Sequence, residues 1–164
     1  MQCIACQQHV ANKESGLCVS CERLEEKKIN GLLYLPAAGI VFSLFLSGST
    51  LYGFITAIID YYQRMNIITF YAVGAVSLNT IDLLTIVAAA YYFFKRKKGV
   101  RKVMIAYYLM GVTAALYIVG LPAWLGQYRL DYNDIRNMSA PLIAAVIWIP
   151  YFLFSKRINA VFCR

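Results

Sequence analysis

Leu32 to Ile59, LLYLPAAGIVFSLFLSGSTLYGFITAII, holds no Asp, Glu, Lys or Arg, and its reading decides the class of fold. A helix rises about 1.5 Å per residue, and about 20 apolar residues cross a hydrocarbon core about 30 Å thick. A buried helix of a soluble bundle would carry a polar outer face at a period of 3.6 residues. Here Phe42, Leu44, Phe45 and Leu46 leave no such face, so the segment is expected to span a membrane.

Three further stretches repeat the pattern. Met65 to Phe94 contains Asp82 as its one charged residue, and Val103 to Tyr128 and Asn137 to Ser155 contain none. The expected fold is therefore an all-α integral membrane protein with four transmembrane helices near 32–58, 69–94, 103–125 and 139–155. The composition agrees: 60% of the 164 residues are hydrophobic, against about 45–50% in soluble domains. The first apolar run begins thirty residues in, after a charged, Cys-rich segment. No cleavable signal peptide is expected, and the first helix stays as an anchor.

The net charge is +8, and its distribution sets an orientation. Lys13, Arg23, Lys27 and Lys28 precede the first span, Lys95 to Lys102 contribute six basic residues between the second and third, and Lys156, Arg157 and Arg164 follow the fourth. Arg64, Arg129 and Arg136 are all that fall on the other side. Because basic loops stay inside, both termini are expected in the cytosol. Lys27 and Lys28 are placed to snorkel at the inner interface, and the 95–102 cluster is expected to meet anionic headgroups generically rather than as a ligand site. Tyr61 and Tyr62 at the outer side, with Tyr91, Tyr92, Tyr107, Tyr108 and Tyr151 nearer the inner side, fit interfacial belts or ordinary packing equally well.

The most specific local motif is a pair of C-x-x-C turns, Cys3 to Cys6 and Cys18 to Cys21, eleven residues apart. Two residues between thiolates let both point at one ion, and two such turns close a tetrahedron around zinc. Residues 1–22 are thus expected to form a cytosolic zinc ribbon holding one structural Zn2+ through Cys3, Cys6, Cys18 and Cys21. Disulfides do not suit a reducing compartment, about twenty residues cannot build a thioredoxin-like redox fold, and the spacing does not follow ferredoxin patterns. Zinc rather than iron is the expectation. His9, the one histidine, is expected to be exposed and not a ligand. With one Lys and no aromatic between the turns, the ribbon is not expected to read nucleic acid. Residues 23–31 are expected to form an amphipathic linker, and 32–164 the membrane domain.

Asp82 sits mid-span, where a carboxylate costs about 2.5–3.5 kcal/mol on insertion scales and usually faces the bundle interior. Asn79, three residues earlier, shares its face, with Ala75, Thr85, Ile86 and Ala89 nearby. No Lys, Arg or His lies inside another span to pair with it, so the expected partners are hydroxyls from Ser43, Ser47, Ser49, Thr50 or Thr113. Gly111 and Ala115, four apart, offer a close-packing face. Pro36, Pro122 and Pro150 are expected near helix ends. No Ser–His–Asp set, phosphate loop or paired carboxylate site is visible, so no enzyme is expected.

Gly31-Leu-Leu-Tyr-Leu-Pro36 running on to Gly39, and Trp148-Ile-Pro-Tyr-Phe-Leu-Phe-Ser-Lys-Arg157 running on to Phe162, resemble a family of small bacterial inner-membrane proteins catalogued as domain of unknown function 2569. The resemblance covers about residues 30–162. It is strongest at Trp148, Pro150, Tyr151, Lys156 and Arg157, and looser at Leu33, where the family usually has Trp. It implies a four-helix protein of the bacterial inner membrane and supplies no activity. The residues lead first to a non-enzymatic accessory protein, whose zinc ribbon and basic loop engage a protein partner or a second copy. Second comes a small proton- or ion-coupled transporter or channel-like protein using Asp82 and Asn79.

Overall fold

The computed structural model describes residues 18, 19, 31–126, 129–155, 158, 161 and 162. After a 3-10 turn at Gly31–Leu33 come α1 (Tyr34–Met65), α2 (Phe70–Phe94) and α3 (Val100–Ala115). A π-helical turn at Leu116–Gly120 carries α3 into the short α4 (Leu121–Trp124), and α5 (Tyr132–Phe154) completes the bundle. Four helical segments, Gly31–Met65, Phe70–Phe94, Val100–Trp124 and Tyr132–Phe154, are long and apolar enough to cross a membrane. Their outward side chains match that solvent: Phe42, Phe45 and Val146 are 68%, 71% and 73% exposed. In a soluble protein such a surface would associate.

The expected spans are all present, but several of their ends differ. α1 runs to Met65 rather than 58, through Asp60 and Arg64, and stops where Asn66 turns left-handed (φ 55°) and donates its N–H to Tyr62 O. Charge ends an apolar window without ending a helix. The third span starts at Val100 rather than 103, because Gly99 at φ 92° reverses the chain directly into it. α5 starts at Tyr132, seven residues earlier than expected. Asp131 caps it by accepting from the Tyr132 N–H, and Asp134 reaches back to the Asp131 N–H at 3.0 Å. This is a capping box built from two aspartates. Thr69, expected as the first residue of the second helix, is its N-cap, accepting from the Ala72 N–H.

Two of the three expected prolines lie at helix ends, as their positions implied. Pro36 lies in the first turn of α1 and Pro122 opens α4, whereas Pro141 and Pro150 both sit inside α5. The π-turn before Pro122 is a local adjustment of the kind that accommodates a missing N–H.

Neighbours pack in the order α1 on α2, α2 on α3, α3 on α5, while α1 and α5 do not pack along their lengths. A methyl group at Gly111 on α3 would come only to ordinary contact, 3.9 Å, with Pro141 Cβ on α5, and Gly111 and Ala115 line a cavity, so the close-packing face expected from their spacing is not what the glycine provides here. One buried cluster contains Leu33, Phe93, Val100, Met104 and Phe152, joined by Ile158, Val161 and Phe162 from the C-terminal segment. The cluster therefore brings the start of the first and third spans and the end of the second and fourth to one end of the bundle. That end is sealed by packing. It also carries the basic 95–102 loop.

At the opposite end, Tyr71 and Tyr117 stack with ring centroids 5.5 Å apart and planes 9° from parallel. Tyr71 donates its hydroxyl to Ile118 O at 2.7 Å. Gly74 makes room for this pair, since a Cβ there would collide with the Tyr117 hydroxyl and ring.

Candidate functional site

α2 is apolar on every side, so its polar residues are placed by their neighbours and not by an amphipathic pattern. Ala75, Asn79, Ile86, Ala89 and Phe93 are its buried residues. They recur at intervals of three, four and seven, the stripe that a helix turns toward its partners. Asp82 lies on this stripe, half-buried, and accepts a hydrogen bond from Ser47 Oγ on α1 at 3.2 Å. Of the five hydroxyls that spacing allowed, Ser47 is the partner: it is buried, whereas Ser49, Thr50 and Thr113 are exposed. Thr113 bonds Leu109 O of its own helix. Asn79 is 4% exposed, and its amide donates to Ala75 O at 3.2 Å. Asp82 and Asn79 thus share a wall through separate bonds.

Ser43, one turn before Ser47, reaches the third span. Its hydroxyl and the Tyr107 phenol lie 2.6 Å apart, and either can be the donor. Tyr107 is half-buried and Tyr108 is 8% exposed, packed against Tyr107 and Phe152. These two are core tyrosines, in contrast to Tyr61, Tyr62 and Tyr91, which are exposed as an interfacial belt requires.

Together these groups line a cavity of about 460 Å3 between the spans. Ser43, Ser47 and Thr50 come from α1, Asn79, Asp82 and Ile86 from α2, and Tyr107, Tyr108 and Gly111 from α3. α5 closes the ring with Asn137, Pro141 and Trp148. The volume is in the range of small-molecule sites. The walls on α2 and α3 include the buried Asn79, Ile86 and Tyr108, whereas Leu46 and Thr50 on α1 and Asn137 and Ala140 on α5 are exposed. Since α1 and α5 do not pack along their lengths, the cavity opens along that seam. Among the described residues that line it, it offers one carboxyl, two amides and several hydroxyls on an apolar surface, with no Lys, Arg or His.

Tyr107, Tyr108, Asn137 and Trp148 were not tied to Asp82 by spacing. A Ser on one helix and a Tyr on another carry no register relation in sequence. Trp148 and Tyr151 meet edge-on at 5.6 Å, and Trp148 of this motif is a wall element of the cavity. Pro150 is exposed within α5, and Lys156 and Arg157 lie outside the described residues. So do Cys3, Cys6 and Cys21, together with His9. Cys18 is described and buried, at 4% exposure. Among the described residues no group of three or more His, Cys, Asp or Glu could hold a metal ion.

Residues 26–163 match the family described as Protein of unknown function (DUF2569), and the chain belongs to that family. The match begins after the fourth cysteine, so the paired C-x-x-C turns precede the family region. No curated protein and no solved structure matches the chain.

Proposed function

We propose that the chain is a small proton- or ion-coupled transporter or channel-like protein that takes its solute into the cavity around Asp82 and Asn79. The observation that carries this reading is the open space beside a mid-span carboxyl. A structural hydrogen bond between two helices needs no cavity, whereas a coupling carboxyl needs room for an ion or solute next to it. The seam between α1 and α5 supplies an entrance or, in a homo-oligomer, the place where a second copy completes the wall. Four helices are few for a transporter, which favours the oligomer.

The test is proton or cation flux into liposomes loaded with a pH-sensitive dye. Wild-type protein is expected to give flux that Asp82→Asn abolishes while remaining folded. Equal flux from both would overturn the reading.

A second reading keeps the chain non-enzymatic but makes it an accessory protein, with a zinc ribbon at residues 1–22 and the basic loop engaging a protein partner. It is favoured by the exposure of Lys95, Lys97 and Lys98 at the sealed end of the bundle. Under both readings the protein sits in a bacterial inner membrane with its termini in the cytosol. Co-purification of a partner that is lost when Cys3 and Cys6 are changed to Ser would support the accessory role.

A further inference from the structure

The turn between the second and third spans does more than reverse the chain. Arg101, in the first turn of α3, donates one terminal guanidinium N–H to Ser155 O at 2.8 Å. Its Nε is buried and has no hydrogen-bond partner among the described residues. A buried donor left without a partner is costly unless something meets it.

Arg101 is one wall of a second cavity, of about 360 Å3, separate from the one at Asp82. Lys98 and Lys102 stand beside it. The start of α3 also borders the cavity, and Gly99 leaves that helix without a side-chain cap. An uncapped N-terminus of a 16-residue helix adds partial positive charge to that of the three cations. The remaining walls are apolar: Ile105, Leu153, Ile158 and Phe162. Phe162 is itself fixed against Phe93, centroids 5.2 Å apart.

We infer that this cavity is a binding site for an anionic phospholipid, the phosphate meeting Lys98, Arg101 and Lys102 and an acyl chain following the apolar wall. A free anion would need only the basic rim. The chemistry continues past it, because Lys102, Ile105 and Leu109 follow one another at three and four residues along one stripe of α3. Leu109 is 53% exposed on the lipid-facing surface. The stripe thus runs from charge to hydrocarbon in the direction a lipid molecule does. Generic attraction of a basic loop is a different matter, and the loop contains its own control. Lys95 and Lys97 are exposed, belong to the same turn and do not border the cavity. Lys97 Nζ instead sits over the Tyr91 ring, 4.6 Å from its centroid.

The experiment compares two charge-matched double variants of the full-length protein, Lys98→Gln/Lys102→Gln and Lys95→Gln/Lys97→Gln. Lipid is titrated onto delipidated protein, with phosphatidylglycerol against phosphatidylcholine, and bound lipid is read by native mass spectrometry. One phosphatidylglycerol is expected to be retained in preference to phosphatidylcholine. The Lys98/Lys102 pair should weaken it roughly tenfold or more, while the Lys95/Lys97 pair changes it less than about twofold, since only the first pair borders the cavity. Equal losses from the two pairs would reduce the site to surface charge and overturn the inference. Displacement by inorganic phosphate at matched concentration would overturn its lipid part, since the acyl chain would then contribute nothing. Arg101→Gln serves as a third arm, read only where the protein retains its helicity, because it also removes the bond to Ser155.

Discussion

The Ser43 hydroxyl and the Tyr107 phenol lie 2.6 Å apart, one hydrogen bond joining the first and third spans beside the Asp82 cavity. Those two helices do not otherwise pack along their lengths, so the bond acts as a strut across the space between them. Tyr107→Phe and Ser43→Ala should each cost about 0.6 kcal/mol and not more than about 1.7, the range for interhelical hydrogen bonds in bilayers. The double variant should cost no more than the larger single one, because both remove the same bond. Unfolding in mixed micelles measures all three, and full additivity would show that the bond contributes nothing.

Gly74 and Tyr117 make a second steric pair. A methyl group at position 74 would overlap the Tyr117 ring, 2.8 Å from its Cζ, and the ring is held by its stack on Tyr71. Gly74→Ala is therefore expected to destabilise the bundle by about 1–3 kcal/mol, the usual cost of overpacking. On a Tyr117→Leu background the same change should cost clearly less. If the cost is the same on both backgrounds, the ring is not what reads the glycine.

How much of this was legible before the structure depends on the kind of signal involved. The spans were, because an apolar run such as Leu32 to Ile59 leaves the backbone no water to bond and only a helix satisfies it. The ends were not, because α5 begins at a cap made by Asp131 and Asp134, outside the apolar window that marked residue 139. Asp82 was singled out by the cost of its position, and Ser47 was among its possible partners. The cavity was not legible. It depends on α1 and α5 failing to close on each other, which no single helix's sequence records. The Arg101 pocket was not legible for the opposite reason, since six basic residues within eight positions look alike until the fold turns three of them toward one space.

The paired C-x-x-C turns predict one zinc per chain on Cys3, Cys6, Cys18 and Cys21, with Cys163 not involved. Metal analysis of protein never exposed to chelator should give close to one equivalent, because four intact thiolates hold zinc tightly. Less than about half an equivalent, or iron in its place, would remove the assignment. Cys3→Ser/Cys6→Ser should lose the metal and leave the four spans intact, since the family region begins at residue 26.

The charge asymmetry predicts that both termini and the 95–102 loop face the cytosol. Cys163 should then resist an impermeant thiol reagent in intact cells and react after permeabilisation. Labelling from outside would contradict the positive-inside assignment, and it would move the Lys98–Lys102 pocket to the opposite leaflet.

Asp82 separates the two functional readings, and its prediction rests on what Asn can and cannot replace. Asn keeps one acceptor oxygen for the Ser47 hydroxyl at nearly the same shape, and it adds donors that face the same cavity. Asp82→Asn should therefore fold as the wild type does under either reading. Asp82→Leu removes the acceptor and strands the Ser47 hydroxyl, at a cost of about 1 kcal/mol, because membrane hydrogen bonds average below 2. Function divides where stability does not. A carboxyl that releases and takes up a proton, or holds a cation, cannot be replaced by an amide that never ionises. Under the transport reading, a deletion strain complemented by wild type should not be complemented by Asp82→Asn, although that variant is folded and zinc-loaded. Full complementation by Asp82→Asn together with failure of Cys3→Ser would place the function in the ribbon, and the cavity would then be a space between helices with no role in coupling.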